Sequence, residues 1–394
     1  MFDIDRFRDI DPGVRVLMGP GPSDVAPRVL EAMSAPCIGH LDPYFLKVMD
    51  EIQQLLRHIF QAEYQMTIPV SGTGSAGMEA CFVNLVEPGD KVLVCVNGVF
   101  GTRMCDIVGR IGGELIRLDF PWGRAVNPEE VRKEARNKNP KILAVVHAET
   151  STGACSPLGA LSEVAKEVEA LFLVDTVTSL GGMPVKVAEN GIDAAYSGTQ
   201  KCLSCPPGLS PITFSQAAMD KLKGRKTPVV SWYLDLSMIG SYWGLERKYH
   251  HTAPINMNYA LREALRMIVE EGLETRFERH RLNHKALVAG LEIMGIAMFV
   301  SETERLPMLN TICIPDGVSD AKVRSTLLNN FGIEIGAGLG DLAGKVWRVG
   351  LMGASCTSRN VLLFLSALYT VLKKEGTKVN PGFLEAAAEV METV

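Results

Sequence analysis

The sequence predicts an α/β fold, with a large domain built on a mostly parallel β-sheet flanked by helices and a smaller C-terminal α+β domain. Apolar runs of strand length alternate with helical patterns from about residue 64 to residue 215. These runs are hydrophobic almost throughout, which indicates strands buried on both faces, as in parallel sheets. After residue 255 the pattern changes to long amphipathic helices with isolated strands, which favours a separate, smaller domain.

The elements of the large domain follow one another in a regular order. Strands are predicted at 64–70, 91–97, 114–119, 141–148 and 170–175. Helices are predicted near 74–86, 100–112, 128–137 and 158–168, with turns at 88–89 and 112–113. Alternation of this kind is typical of a sheet whose neighbouring strands run parallel.

The C-terminal part begins with two long helices, predicted at 257–272 and 273–295. They are followed by strands within 307–315 and 345–353, a helix at 319–331 and a final helical stretch. We therefore expect a large domain at 16–270, a small domain at 271–394 and an N-terminal arm at 1–15.

Composition and charge exclude several classes of protein. Of the 394 residues 47% are hydrophobic and 22% are charged, which is ordinary for a globular enzyme. The net charge is −5 and no basic run occurs, which argues against nucleic acid as a partner. No stretch approaches the ~18 apolar residues of a membrane span, and the charged N-terminus does not resemble a secretory signal. With nine cysteines scattered mainly in apolar runs, we expect a soluble cytoplasmic protein.

A glycine-rich turn, "GTGSAG" at 72–77, follows a predicted strand and opens a helix. Its backbone N–H groups and the helix N-terminus form an anion site, to which Thr73 and Ser75 add hydroxyls. The alternative is an ordinary strand-to-helix turn. A Walker loop is excluded because the Gly-Lys-Ser/Thr ending is missing, and a dinucleotide site is disfavoured because no acid ends the next strand.

Two further groups are predicted at the same edge of the sheet. Asp175 ends the strand "ALFLVD", where a carboxylate faces the ligand crevice of a parallel sheet, although such a residue can also cap a turn. Lys201 lies between two apolar runs, and burial makes a lysine amine nucleophilic toward carbonyls. A buried lysine, an aspartate for a ring nitrogen and an anion cradle are the groups that pyridoxal phosphate requires.

The chain resembles the class V aminotransferases of fold type I, in particular the alanine–glyoxylate / serine–glyoxylate (serine–pyruvate) aminotransferase group. The resemblance covers about residues 16–375. It rests on eight motifs in the family's order: "GPGPSDVAPRVLEAM", "SGTGSAGMEA", "NGVFGTR", "HAETSTGACSPL", "LVDTVTSLGG", "SGTQKCLSCPPGLS", "YHHTAP" and "GKVWRVGLMG".

The resemblance implies a role for each matching residue. Lys201 matches the lysine that carries the cofactor, and Asp175 matches the partner of the pyridine nitrogen. The other matches for the cofactor are Thr150 near its phenolic oxygen, Thr73, Gly74, Ser75 and Gln200 at its phosphate, Phe100 at its ring, and Tyr249 and Thr252, which complete the phosphate site of the other subunit. Arg348 matches the residue that holds the substrate carboxylate, with Gly39 and Thr150 also near the substrate.

The activity implied by the resemblance is transamination between a small L-amino acid, alanine or serine, and glyoxylate in a homodimer with shared active sites. Other class V enzymes remain open as alternatives, namely a ureidoglycine–glyoxylate or pyridoxamine–pyruvate aminotransferase. A cysteine desulfurase-like lyase needs a mobile cysteine near 310–350, where Cys313 lies in a predicted strand. A non-catalytic binding protein on the same scaffold is the alternative from another class.

Three further features have competing interpretations. Cys202 and Cys205 form a C-x-x-C pair, but buried thiols are commoner than a redox or zinc site. His250 and His251 are adjacent and lack a partner at metal-ligand spacing, so a structural or rim role is favoured and no metal site is predicted. Arg348 lies on a predicted strand with an apolar opposite face, where the alternative is an exposed arginine on an edge strand.

Overall fold

The computed structural model describes residues 9–392. Residues 1–8 of the predicted N-terminal arm and residues 393–394 lie outside this range. The helices are α1 (Pro27–Met33), α2 (Pro43–Phe60), α3 (Gly74–Leu85), α4 (Val99–Arg110), α5 (Pro128–Lys138), α6 (Leu158–Glu167), α7 (Gln216–Lys223), α8 (Leu236–Trp243), α9 (Ile255–Glu271), α10 (Leu273–Met294), α11 (Asp320–Phe331), α12 (Ser358–Lys374) and α13 (Phe383–Glu392).

The strands are short, and most are buried. They are β1 (Val16–Leu17), β2 (Met66–Ser71), β3 (Lys91–Val96), β4 (Glu114–Asp119), β5 (Ile142–Val146), β6 (Ala148–Glu149), β7 (Ala154–Cys155), β8 (Leu171–Asp175), β9 (Ala194–Tyr196), β10 (Leu209–Phe214), β11 (Leu309–Cys313), β12 (Ile333–Glu334), β13 (Gly336–Ala337) and β14 (Val346–Gly350). All the strands and helices predicted between residues 64 and 175 are present, with no end shifted by more than two residues.

The large sheet is mostly parallel, as predicted. Within residues 9–392 it has seven strands in the order β2-β10-β9-β8-β5-β3-β4. Only β10 runs against its neighbours, β2 and β9, while the remaining pairs are parallel. Every residue of β5 is buried, because helices cover both faces of the sheet, whereas the edge strand β4 is largely exposed.

This strand order brings three predicted site segments to one edge of the sheet. Strands β2, β8 and β9 all point the same way, so their carboxyl ends lie at the same side. The glycine turn follows β2, Asp175 ends β8, and Lys201 lies between β9 and β10. The crevice at the carboxyl ends of parallel strands is where ligands bind in open α/β sheets.

Close helix packing sets the position of the glycine turn. Helix α3 lies so near the sheet that a Cβ atom on Gly77 would fall 1.9 Å from Ser210 Oγ. Glycine is therefore required at this point by space rather than by backbone angle. The contact fixes the N-terminus of α3 relative to β9 and β10.

The described residues form two large hydrophobic clusters. The first runs from Val29 to Leu273, and the second joins α10 to α13 around the small sheet β11-β14-β13. Met18 belongs to the second cluster, and β1 pairs with β12, so the segment at 16–18 packs with the C-terminal part. The two clusters support a division near 270, which stays a prediction.

The structure also differs from the sequence-based expectations in the helices. Helices α1, α2, α7 and α8 were not predicted. The final helical stretch is two helices, because the segment between them contains Gly376 at φ +80° and the breakers Pro381 and Gly382. Among residues 9–392, no helix is both long and apolar enough to cross a membrane.

Candidate active site

Lys201 is buried at the carboxyl edge of the sheet. Its side chain is 8% exposed, and its Nζ atom donates to the carbonyl oxygen of Pro20, while Ser23 Oγ donates to the carbonyl of Lys201 at 2.8 Å. Burial, assisted by the charge of Arg348, lowers the pKa of Lys201 to about 8. About a tenth of this amine is therefore neutral, and nucleophilic, at pH 7.

The turn around Lys201 is held by local hydrogen bonds and by a glycine of the N-terminal segment. Cys205 N donates to Thr199 O at 3.0 Å, and Thr199 Oγ1 donates to Pro206 O at 2.7 Å. Gly21 has a φ of +115°, and a Cβ atom there would lie 2.6 Å from the Lys201 amine. Residues 20–23 thus pack against one side of the lysine. The sequence did not predict this contact.

Asp175 is fully enclosed and has two hydrogen-bond donors. Val177 N donates to Oδ1 at 2.8 Å, and the Tyr196 hydroxyl donates to Oδ2 at 2.7 Å. Burial raises the pKa of Asp175 to about 7, opposed by these two hydrogen bonds, while Lys201 is near enough for its charge to contribute. A cationic ring nitrogen at this carboxylate would stabilise the charged form.

The glycine turn presents donors without partners. Thr73 is the N-cap of α3 but its side chain caps no N–H group, and both Thr73 and Ser75 are exposed. In the described part of the chain, the backbone N–H groups of Gly74 and Ser75 donate to no other group. A Cβ on Gly74 would lie 3.3 Å from Val177, so the turn adjoins the segment after Asp175.

Gln200 precedes the lysine and leaves a polar atom unused. Its buried Oε1 atom has no hydrogen-bond partner among the described residues. Because a half-turn of the amide exchanges its oxygen and nitrogen, Gln200 can present either a donor or an acceptor to a ligand at the glycine turn.

Glu149 is a buried carboxylate that the sequence-based analysis missed. It accepts hydrogen bonds from Ser151 N at 3.0 Å, Ser151 Oγ at 2.6 Å and Phe100 N at 3.2 Å. A Cβ on Gly98 would lie 2.4 Å from the Glu149 side chain, so the start of α4 approaches it closely. Glu149 therefore caps α4 and fixes the backbone of Phe100.

Arg348 lies on the central strand of the small sheet, not on an edge. It is 7% exposed, and it donates from Nε to Ala337 O at 2.7 Å and from Nη1 to Thr150 O at 3.0 Å. Burial lowers the pKa of Arg348 to about 10, while the charge of Glu149 acts in the opposite direction. Two of its donors are thus held by backbone carbonyl groups, which fixes the plane of the guanidinium.

Gly39, Tyr249 and Thr252 lie on an exposed surface. The rings of His40 and Tyr249 are 4.9 Å apart, and Tyr249 is 55% exposed. No hydrogen bond or ring contact in residues 9–392 joins Gly39, Tyr249 or Thr252 to Lys201 or Asp175. The structure does not bring these three residues into the crevice of their own chain.

The surface that carries Tyr249 is aromatic and adjoins the glycine turn. Trp232 is 63% exposed and stacks on His250 at 4.5 Å, while His251 Nε2 lies 2.8 Å from Ser71 Oγ, just before the turn. We call this surface, formed by His40, Trp232, Tyr233, Tyr249 and His251 over the buried rings of Tyr242 and His250, the aromatic surface. His250 is buried and His251 is partly exposed, so a rim position for the pair stays a prediction.

The cysteine pair is inert in this setting. Cys202 Sγ lies 3.2 Å from Thr178 O, and burial raises the pKa of Cys202 to about 11 and that of Cys205 to about 12. Both are free, protonated thiols at neutral pH. Residues 9–392 contain no group of three His, Cys, Asp or Glu side chains placed to hold a metal ion.

The residues of the crevice fit pyridoxal phosphate. A buried lysine with a lowered pKa, a buried carboxyl, free N–H groups at a helix start and the amide of Gln200, which can turn its N–H donors outward, match an aldehyde, a ring nitrogen and a phosphate. The sequence could have indicated Tyr196, since its polar tip lies in an otherwise apolar strand before Lys201.

Comparison with known proteins identifies the family. The Aminotransferase class-V family matches residues 16–351. The chain is 42% identical to (S)-ureidoglycine–glyoxylate transaminase of Bacillus subtilis (98% of this chain, 97% of the relative) and 40% identical to alanine–glyoxylate aminotransferase of Mus musculus (91% and 88%). The crystal structure of alanine–glyoxylate aminotransferase from Nostoc sp. superposes with a TM-score of 0.91 at 51% identity, covering 94% of this chain and 100% of that one. The chain thus belongs to the class V aminotransferases, which share the fold type I architecture and depend on pyridoxal phosphate.

Proposed function

We propose that the enzyme transfers the amino group of a small L-amino acid, alanine or serine, to glyoxylate, giving a 2-oxo acid and glycine. The relatives from Bacillus subtilis, Mus musculus and Nostoc sp. are all named for glyoxylate, which supports it as the acceptor. The observation that carries the proposal is the buried Arg348, anchored by two carbonyl groups and close enough to Lys201 to lower its pKa.

Arg348 is suited to the α-carboxylate that every donor and acceptor in this reaction shares. Its planar guanidinium can hold a carboxylate through two parallel hydrogen bonds. Because the protein fixes the guanidinium through Ala337 and Thr150, the bound Cα atom is also fixed relative to Lys201. Orientation of this kind places the Cα–H bond where the lysine amine can reach its proton.

Lys201 and Asp175 divide the proton chemistry in this proposal. Pyridoxal phosphate supplies a carbonyl for the amino group and a ring that stores the electron pair left when the Cα–H bond breaks. With the cofactor bound, Lys201 Nζ would hold it covalently and, once freed by the substrate amine, would accept the Cα proton as a general base and give it up again as a general acid. Asp175 keeps a proton on the ring nitrogen, assisted by the Tyr196 hydroxyl.

The remaining proposed contacts hold the cofactor. Thr73, Gly74, Ser75 and Gln200 form the phosphate cradle of one subunit, and Phe100 covers the ring. Tyr249 and Thr252 complete the cradle of the other subunit, since they are exposed on the aromatic surface beside the glycine turn. Gly39 lies on the same exposed surface, so it reaches a substrate only in such a dimer.

Buried charge favours donors without a side-chain carboxylate. Glu149 and Asp175 are two enclosed carboxyl groups, and Lys201 and Arg348 are the cations whose charges act on them. One substrate carboxylate is neutralised by Arg348. A second carboxylate, as in aspartate or glutamate, would lack a cation, and burying an unpaired charge is strongly unfavourable.

A donor-by-acceptor panel tests the proposal. Purified holoenzyme is assayed with alanine, serine, aspartate, glutamate and ureidoglycine against glyoxylate, pyruvate and 2-oxoglutarate. We expect alanine or serine with glyoxylate to give the highest kcat/KM. Preference for glutamate or for 2-oxoglutarate would contradict the proposal, and release of sulfide or alanine from cysteine would indicate lyase activity instead.

Ureidoglycine is the second candidate donor. The similarity to the Bacillus subtilis transaminase extends over nearly the whole of both chains, which specifically favours it. Ureidoglycine also carries the α-carboxylate that Arg348 is proposed to hold. A kcat/KM for ureidoglycine well above those for alanine and serine would assign the enzyme to this reaction.

A further inference from the structure

Arg103 lies beside the glycine turn without a carboxylate partner. Its Nη1 atom donates to Ser75 Oγ at 3.0 Å, and its guanidinium carbon lies 5.0 Å from the centre of the Phe100 ring. In the described range it forms no ion pair. Arg110, two turns further along α4, is by contrast paired with Asp106.

We propose that Arg103 supplies the positive charge of the cofactor phosphate site and directs the Ser75 hydroxyl toward the phosphate. The proposal rests on the phosphate cradle described under the proposed function. Arg103 acts on the phosphate partly through Ser75, and in that respect it is a positioning residue.

Charge balance is the first argument. The side chains proposed for the cradle are hydroxyls and an amide, all neutral, while a phosphate monoester carries about −1.5 to −2 at neutral pH. The N-terminus of α3 contributes the equivalent of about half a positive charge. A guanidinium is permanently charged and binds phosphate in planar geometry, so Arg103 is the side chain suited to supply the rest.

The direction of the Ser75 hydroxyl is the second argument. A serine hydroxyl has one proton, and the guanidinium of Arg103 donates to its oxygen. The hydroxyl proton must therefore point away from Arg103. Within residues 9–392 it has no acceptor, and it lies at the open cradle, so a phosphate oxygen is the acceptor that completes the arrangement.

The position of Arg103 over Phe100 is the third argument. The backbone of Phe100 is fixed by Glu149, and the guanidinium rests on the Phe100 ring at a distance typical of cation–π contacts. Arg103 is thereby held between the residue proposed to cover the cofactor ring and the residue proposed to bind its phosphate. The guanidinium of this exposed side chain is thus already held by two contacts on the side of the glycine turn.

The affinities for pyridoxal phosphate and for pyridoxal, which lacks the phosphate, are compared. The comparison distinguishes a contact with the phosphate from a general effect on cofactor binding. Full-length enzyme is freed of cofactor, and the Kd of each vitamer is measured by absorbance titration. For Arg103→Ala we expect the Kd of pyridoxal phosphate to rise about tenfold or more and that of pyridoxal to stay within about twofold. Arg103→Lys should recover part of the loss, because it retains the charge but not the fork. Arg110→Ala is the matched control on the same helix.

Ser75→Ala and the double variant distinguish the two proposals. We expect Ser75→Ala to be selective for the phosphate as well, and the double variant to lose less than the product of the two single losses. If Ser75→Ala is selective and Arg103→Ala is not, the cradle stands and the role of Arg103 is overturned. Equal loss of both vitamers in Arg103→Ala overturns it too. If neither variant loses more affinity for pyridoxal phosphate than for pyridoxal, the assignment of the phosphate cradle to 73–75 is wrong. The proposed role of Arg103 is then wrong as well.

Discussion

The hydroxyl of Tyr196 donates a hydrogen bond to Oδ2 of Asp175 at 2.7 Å, with both side chains buried. The two residues end neighbouring parallel strands, and the register pairs them directly. Since the hydrogen bond stabilises the charged carboxylate, it opposes the rise in the pKa of Asp175 that burial causes.

Replacing Tyr196 with phenylalanine should impair catalysis most at low pH. Without the hydroxyl, the pKa of Asp175 rises further above about 7, so less of the carboxylate is ionised at neutral pH. We expect kcat/KM at pH 7 to fall about tenfold and the acid limb of the pH profile to move to higher pH. A pH–rate profile measures this. Tyr369→Phe, in the second hydrophobic cluster, is the control, and an unshifted acid limb in Tyr196→Phe would contradict the expectation.

Lys201 should carry the cofactor. Borohydride reduction of the holoenzyme followed by peptide mapping should place the pyridoxyl group on Lys201 and on none of Lys141, Lys221 or Lys345. In cofactor-free enzyme, attachment should accelerate as pH rises through about 8, because the amine must lose its proton to react. A label on another lysine, or a rate independent of pH between 6 and 9, would refute the assignment.

Gly21→Ala should displace the lysine. The added methyl group would lie 2.6 Å from Lys201 Nζ at a φ of +115°. We expect the visible absorbance of the bound cofactor to be lost or strongly reduced. Gly89→Ala is the matched control, since its φ is +83° with no atom within 4 Å of the new Cβ, so it should cost only about 1 kcal/mol of stability. A normal spectrum in Gly21→Ala would show that residues 20–23 do not constrain the lysine.

Mixed dimers should reveal a shared site. Tyr249→Phe alone should weaken cofactor binding although its Lys201 is intact, and Lys201→Ala alone should be inactive. Unfolding and refolding the two together should give dimers with one native site, and therefore activity above the sum of the separate proteins. Tyr233→Phe, on the same aromatic surface, should keep its affinity. An active monomer at micromolar concentration, or no gain on mixing, would rule out the sharing.

Arg348→Lys should bind the substrate carboxylate in a less favourable geometry but should still bind the cofactor. A lysine is a point charge and cannot hold a carboxylate through two parallel bonds while also contacting Ala337 and Thr150. We expect an unchanged absorbance spectrum and a kcat/KM for the amino donor lower by about thirtyfold, or about 2 kcal/mol. Steady-state kinetics with alanine and glyoxylate measure the loss, with the exposed Arg117→Lys as control. Near-normal turnover would remove Arg348 from the substrate site.

The sequence by itself determined the class of fold, the glycine turn, and the positions of Asp175 and Lys201. These features are local: periodic burial marks strands and helices, and a turn or a strand end is specified by a few adjacent residues. The direction of three strands then follows from the alternation, so the sequence also predicted that the segments meet at one edge of the sheet.

Only the tertiary structure decided which side chains surround these groups. The contact of Lys201 with Pro20 joins residues 181 positions apart, and that of Arg348 with Thr150 joins residues 198 positions apart. Tyr196 reaches Asp175 through strand register, and Arg103 reaches Ser75 because α4 packs next to the glycine turn. Contacts of this kind depend on how strands pair and helices cross, and no local periodicity encodes them. The physical reason is that burial fixes which face of an element points inward, while the neighbour it meets there is set by the packing of the whole chain.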